Sequence, residues 1–213
     1  MSWSKARFGG VLFVLMLVLI QAAYAAEKQP INFNPADQAA AKAITLTLSD
    51  LGAGWKGGAT KPDISNDTCP TKRSDLILTG AAKSEFNAEG VFVSSESNVL
   101  RSAAMVRTDW QRTVANPAFW ACGRRELAKA EAAKLVSLKR VAFPKLAPYS
   151  ARYRVVYDYG KAGSPTLVLI DLIMVGEGRS EITLMLSAPY ADRAAADGAG
   201  RRLAKILLGR ITA

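Results

Sequence analysis

Asp171 interrupts an otherwise unbroken apolar run from Leu167 to Val175. A carboxylate inside such a strand needs partners, because leaving it buried and unpaired costs several kcal/mol or forces it to take up a proton. Two readings stand side by side. Asp171 is a buried acid facing a ligand cavity, or it forms a structural ion pair with Arg152 or Arg154, or a contact with Tyr153, on the preceding strand. That strand, Arg152 to Tyr159, places Tyr153, Tyr157 and Tyr159 on one face and Arg152, Arg154 and Asp158 on the other. Trp110, Phe119 and Trp120 come from helices able to cover the tyrosine face. Aromatic rings with polar tips line binding clefts, and they also fill cores. The candidate ligand-binding set is therefore Asp171, Tyr153, Tyr157, Trp110 and Arg154. Arg124 and Arg125, with Arg152 and Arg154, form either a basic patch for an anionic partner or a solvated face.

Other chemistry is excluded by what the chain lacks. It contains no histidine, which removes the commonest general base, the commonest metal ligand and every Ser-His or Cys-His pair. Its two cysteines, Cys69 and Cys122, are too far apart in sequence for a zinc-ligand spacing. No GxGxxG or phosphate-cradling pattern occurs. Nothing points to a catalytic residue, a metal, a cofactor or a specific nucleic-acid motif. Among enzymes, a hydrolase built on Lys or carboxylates survives these exclusions.

The N-terminus reads as an export signal. Lys5 and Arg7 precede the apolar run Val11 to Ile20, and Ala23-Tyr24-Ala25 supplies a small-x-small cleavage site. Ten apolar residues span only ~15 Å as a helix, too short for a bilayer core. Residues 1–25 are thus expected to be removed, leaving no membrane anchor and a secreted or periplasmic protein. Removing Lys5 and Arg7 lowers the net charge from +10 to +8. Such a charge draws anions: a small molecule, an acidic glycan or an envelope protein. In an oxidising compartment Cys69 and Cys122 are expected to bond, although two separate thiols remain the alternative. The bridge would close a loop of about 54 residues, worth ~4 kcal/mol in the chain-entropy model.

The elements that must position these residues follow from periodicity. Residues 26–34 read as a flexible lead-in, and a helix starts at Asn34-Pro35. Residues 57–75 read as a long loop held by Cys69. Leu76 to Leu78, Lys83 to Asn87 and Val91 to Ser97 read as strands. Val99, Ala103, Val106, Trp110 and Val114 recur at helical spacing. Asn116-Pro117 ends that helix and starts another, expected to reach about Ala133. Four strands then follow, around Leu135–Phe143, Arg152–Tyr159, Thr166–Val175 and Ser180–Ala188. A final helix over residues 190–209 buries Ala196, Leu203 and Leu207. Short connections make neighbouring strands antiparallel. The expected fold is a single α+β domain over residues 35–213, an antiparallel sheet with helices packed on it.

Three features carry a resemblance: Ser49-Asp50-Leu51-Gly52-Ala53-Gly54-Trp55 after an N-terminal helix, Phe119-Trp120-Ala121-Cys122 opening a second helix, and the closing meander with its C-terminal helix. The chain resembles the extracellular sensor-type domains of actinobacterial serine/threonine kinases and their stand-alone exported relatives, which share a PsbP-like α/β sandwich. The resemblance implies a non-enzymatic binding or sensing domain facing the cell envelope, with Trp55, Cys69 and Cys122 as structural positions. Three functions compete: a binding module for a small molecule or envelope component, an envelope protein–protein or assembly factor without a cavity, and the histidine-free hydrolase.

Overall fold

The computed structural model describes residues 28–64, 69, 71–161 and 164–211; the expected export signal, residues 1–25, lies outside them. Seven strands form one antiparallel sheet in the order β1-β2-β3-β7-β6-β5-β4. They are β1 (Lys56–Thr60), β2 (Leu78–Ala88), β3 (Val91–Leu100), β4 (Lys134–Val141), β5 (Tyr149–Asp158), β6 (Leu167–Glu177) and β7 (Ser180–Pro189). The helices are α1 (Pro35–Ile44), the single turn α2 (Leu48–Leu51), α3 (Ala103–Arg112), α4 (Pro117–Leu127) and α5 (Arg193–Ile211). No helix among the described residues is long and apolar enough to cross a membrane.

Strand alternation decides which helix covers which face. One face presents Phe86, Val93, Leu169, Ile173, Leu184 and Leu186, and packs against Ile44 of α1 and Ala196, Leu203 and Leu207 of α5. The opposite face presents Tyr153, Val155 and Tyr157 of β5, beneath Trp110 of α3 and Trp120 of α4. The sheet therefore lies between two helical layers. Ser84, Ser95 and Ser97 are buried under α1 and are satisfied there. The Ser97 hydroxyl donates to the Ala41 carbonyl at 2.6 Å, and Ser95 Oγ accepts from the Leu46 amide at 2.8 Å.

The structure differs from the sequence reading in the first half of the chain. Lys56-Gly-Gly-Ala-Thr60 is an edge strand, not the start of a loop, paired with Lys83–Asn87 of β2; its two glycines give no alternation to read. Of the expected strand Leu76–Leu78 only Leu78 is in a strand; it begins β2, which runs unbroken through Lys83–Asn87 to Ala88. Val99 belongs to β3, and α3 starts only after Ser102, whose side chain caps the Met105 amide. The helix α4 stops at Leu127, short of Ala133. The lead-in is tied down over Pro30–Asn34: Asn32 and Asn34 amides donate to the Leu78 and Thr79 carbonyls, and Leu78 donates back to Pro30.

These contacts bring α1 hard against β2 at Gly80. The Ala81 amide donates to Gln38 Oε1 at 2.7 Å, and a Cβ on Gly80 would overlap the Asp37 backbone. Gly80→Ala is therefore expected to destabilise the domain by about 1–3 kcal/mol or more, since the obstacle is main chain and cannot rotate away. Urea denaturation reads this as a lowered midpoint at constant slope.

Cys69 and Cys122 stand at disulfide distance, with Cα atoms 5.7 Å apart, within the range an unstrained bridge requires. Both are buried. The bridge fastens the loop after β1 to α4. Ion pairs add to it: Arg112 of α3 forks onto Asp75 at 2.6 and 2.9 Å and also donates to the Lys72 carbonyl. Those hydrogen bonds pull the Asp75 carboxyl down to about 2.

Candidate functional site

Asp171 is 1% exposed and sits across from Arg154 in the β5–β6 register. Arg154 Nε and Nη2 donate to its two carboxylate oxygens at 2.7 and 2.6 Å, the fork-to-fork geometry that favours arginine over lysine. Arg154 also donates to Asp197 of α5, and Arg152 donates to the same oxygen at 3.0 Å. Two arginines thus balance two carboxylates under α5. Burial pushes the Asp197 carboxyl up, but hydrogen bonds from Arg154 and the charge of Arg152 hold it below its ordinary value. The quartet fastens α5 to the sheet, with Arg152 Nε its one buried donor left without a hydrogen-bond partner.

Tyr153, Tyr157 and Trp110 lie on the other face. The proposed cluster of Asp171 and Arg154 with these aromatics is therefore split by the sheet, because Arg154, not Tyr153, stands opposite Asp171. Tyr157 is 2% exposed and donates to the Leu127 carbonyl at 3.1 Å; burial pushes its hydroxyl up to about 12. Trp110 packs on Tyr149, ring centroids 5.5 Å apart. Arg152 and Arg154 likewise leave Arg124 and Arg125 on the opposite side, so those four do not form one basic patch.

Tyr153 is different. Its ring stacks on Trp120, centroids 3.6 Å apart and planes 11° from parallel. Tyr153 Oη and Trp120 Nε1 both donate to the Val114 carbonyl at 3.0 Å. This pinned pair forms one wall of a groove of about 370 Å³ between α4 and the edge strand β4, within the size range of small-ligand sites. Arg124 from α4 and Arg140 from β4 line it, and no lining residue is a carboxylate; Lys139 also borders it but stands opposite Arg154 in the register, on the α5 face. Arg124 is steered by its bond to the Leu138 carbonyl. Arg140 stands directly opposite Tyr153 in the β4–β5 register; burial pushes the Tyr153 hydroxyl up, opposed by the charge of Arg140. A second hollow of about 400 Å³ adjoins, lined by Arg140 again and by Val141, Ala142, Phe143, Ser150 and Ala151.

Sequence reasoning missed Arg140. A cation on an edge strand reads as solvated, and nothing local says that a helix carrying Arg124 and Trp120 lies against its face. The faint signal was the density of cations over 124–145 without a matching run of acids.

A separate polar cluster joins α3 to β7. Asp109 is 8% exposed, Arg73 Nη2 approaches it at 3.3 Å, and the partly buried Glu181 stands close enough to feel its charge. Burial first, and then the Asp109 charge, push the Glu181 carboxyl well above its ordinary value, with Arg73 opposing. The folded state therefore holds a proton that the unfolded chain releases above about pH 4.3, so this group costs stability as pH rises through its folded value. Glu181→Gln, which keeps a donor for Asp109, is expected to gain stability over the wild type progressively above pH 5. Parallel pH–stability curves would contradict this. Glu181 lines neither hollow.

Among the described residues no group of three or more Cys, Asp or Glu is placed to hold a metal. No protein family, curated protein or solved structure matches this chain.

Proposed function

We propose that this protein is an exported, non-enzymatic binding domain for an anionic small molecule or acidic cell-envelope component, held between α4 and β4. The observation that carries the reading is the convergence of Arg124 and Arg140 on one groove walled by the Trp120–Tyr153 stack, with no carboxylate among its lining. Such a groove supplies charge for affinity and a rigid aromatic wall for shape. Export is supported by the N-terminal signal pattern and by the paired cysteines, and places the domain outside the cytoplasm, secreted or periplasmic. Kinship with the PsbP-like sensor-type domains belongs to the same proposal.

An assembly factor that adds a partner strand to the sheet is the weaker reading. The free edge β4 carries Lys134 and Lys139, a bulge at Val136 between the Leu135 and Ser137 pairings, and Arg124 on the Leu138 carbonyl. Each of these opposes edge-to-edge pairing.

Native mass spectrometry of protein purified from an exporting host tests the proposal. An anionic species is expected to accompany the wild type and to be lost from Arg124→Glu/Arg140→Glu, both exposed positions. A species retained by that variant, or no anion bound by either protein, contradicts the reading.

A further inference from the structure

The helical layer on the face away from the groove carries its charge unevenly. It consists of α1, α2 and α5, which pack on the same side of the sheet, α1 beside α5. Its cations are Lys42, Arg193, Arg201, Arg202, Lys205 and Arg210, and its carboxylates are Asp37, Asp50 and Asp197. Each carboxylate is already engaged, Asp37 by Arg179, Asp50 by Arg210, and Asp197 by Arg152 and Arg154. Lys42, Arg201, Arg202 and Lys205 are exposed and have no ion-pair partner among the described residues. Arg201, Arg202 and Lys205 fall at i, i+1 and i+4. That spacing gathers them on the outer side of α5, opposite the buried Gly200, Leu203 and Leu207. Asp192, the exposed carboxylate before α5, lies more than two helical turns from Arg201. The outer side of this layer is therefore a stripe of uncompensated cations.

A second observation says what the stripe meets. The turn α2 is tied to α5, because Arg202 Nη1 donates to the Asp50 carbonyl at 3.0 Å and Arg210 Nη2 to Asp50 Oδ1 at 2.6 Å. On that same turn Leu48 is 46% exposed. An exposed leucine held beside cations is the pairing that anchors proteins at an anionic bilayer, where charge draws the protein in and the apolar side chain leaves water. No aromatic residue occurs in α1, α2 or α5, so the layer has no ring to stack on bases or sugars. We infer that this layer is a docking surface for an anionic lipid bilayer. Lys42, Arg201, Arg202 and Lys205 meet the head groups, and Leu48 enters the apolar boundary. The α4–β4 groove lies on the opposite side of the sheet, so the docked protein keeps it open. The inference goes beyond the groove reading and does not depend on it.

Vesicle co-sedimentation of protein purified from an exporting host tests this. Mixed phosphatidylglycerol–phosphatidylcholine vesicles are expected to bind it, less so as salt is raised, and pure phosphatidylcholine vesicles are not. Arg201→Glu/Lys205→Glu should weaken binding by about tenfold or more, since each cation near an anionic bilayer contributes roughly fivefold. Arg124→Glu/Arg140→Glu changes the net charge by the same amount on the other side of the sheet, and should lose far less. Leu48→Ser should weaken binding about fourfold, the worth of one buried methylene group. All five positions are exposed, so these variants are expected to fold. No binding to anionic vesicles, equal losses from the two charge variants, or wild-type binding by Leu48→Ser would overturn the inference. So would tighter binding to a DNA duplex than to the vesicles. Glucuronate binding should be unchanged in Arg201→Glu/Lys205→Glu, which separates failure of this surface from failure of the groove.

Discussion

Arg154→Ala is expected to destabilise the domain by about 3–5 kcal/mol, the range seen when one partner of a buried ion pair is removed. The size follows from what remains. Asp171 is 1% exposed, and without Arg154 its nearest cation is Arg152 Nη1 at 4.0 Å, which is already bonded to Asp197. The carboxylate would lose both charge-assisted bonds and stay out of water, or take up a proton. Asp197 would also lose one of the two arginines that hold α5 to the sheet. Replacing both partners by apolar residues of similar shape, Arg154→Met with Asp171→Leu, should cost much less, because no charge is left alone. Urea denaturation of the two variants reads the difference. The quartet lies on the face away from the groove, so the folded Arg154→Ala protein is expected to keep its affinity for anions. A small loss of stability, or a specific loss of binding, would instead make this cluster part of the functional site.

The second large effect is expected from Cys69→Ser/Cys122→Ser. The cysteines are 53 residues apart, and the chain-entropy model assigns ~4 kcal/mol to closing a loop of that length. The observed loss should be somewhat smaller, because Arg112–Asp75 and Arg73–Asp109 hold the same loop to α3 from a second side. Reductant should bring the wild type down to the double variant and leave the variant unmoved. Equal stability of the two, or two reactive thiols in the native protein, would contradict the bridge.

How much of this was legible in the sequence depended on periodicity. The second half of the sheet could be read strand by strand, since Tyr153-Val155-Tyr157 and Ile182-Leu184-Leu186 alternate cleanly. Asp171 announced a buried partner by breaking an apolar run, and Arg154 was within reach of that argument through the antiparallel register. Asp197 was not: it stands 43 residues from Arg154 on an Ala-rich helix, and only the packing of α5 brings it there. The edge strand β1 carries no pattern at all. The groove was the least legible feature. Trp120 and Tyr153 were visible as aromatics, but whether they walled a cleft or filled a core depended on where α4 lies against β4, and no residue encodes that placement locally.

Mapping amide chemical-shift changes while titrating glucuronate, a small anionic probe, tests the central claim most directly. The account predicts that the changes cluster at Trp120–Arg124, Leu138–Arg140 and Tyr153, on the β4 edge of the α4 face. Changes centred on Asp171, Arg154 and Asp197 beneath α5, or spread without focus over the basic surface, would contradict it.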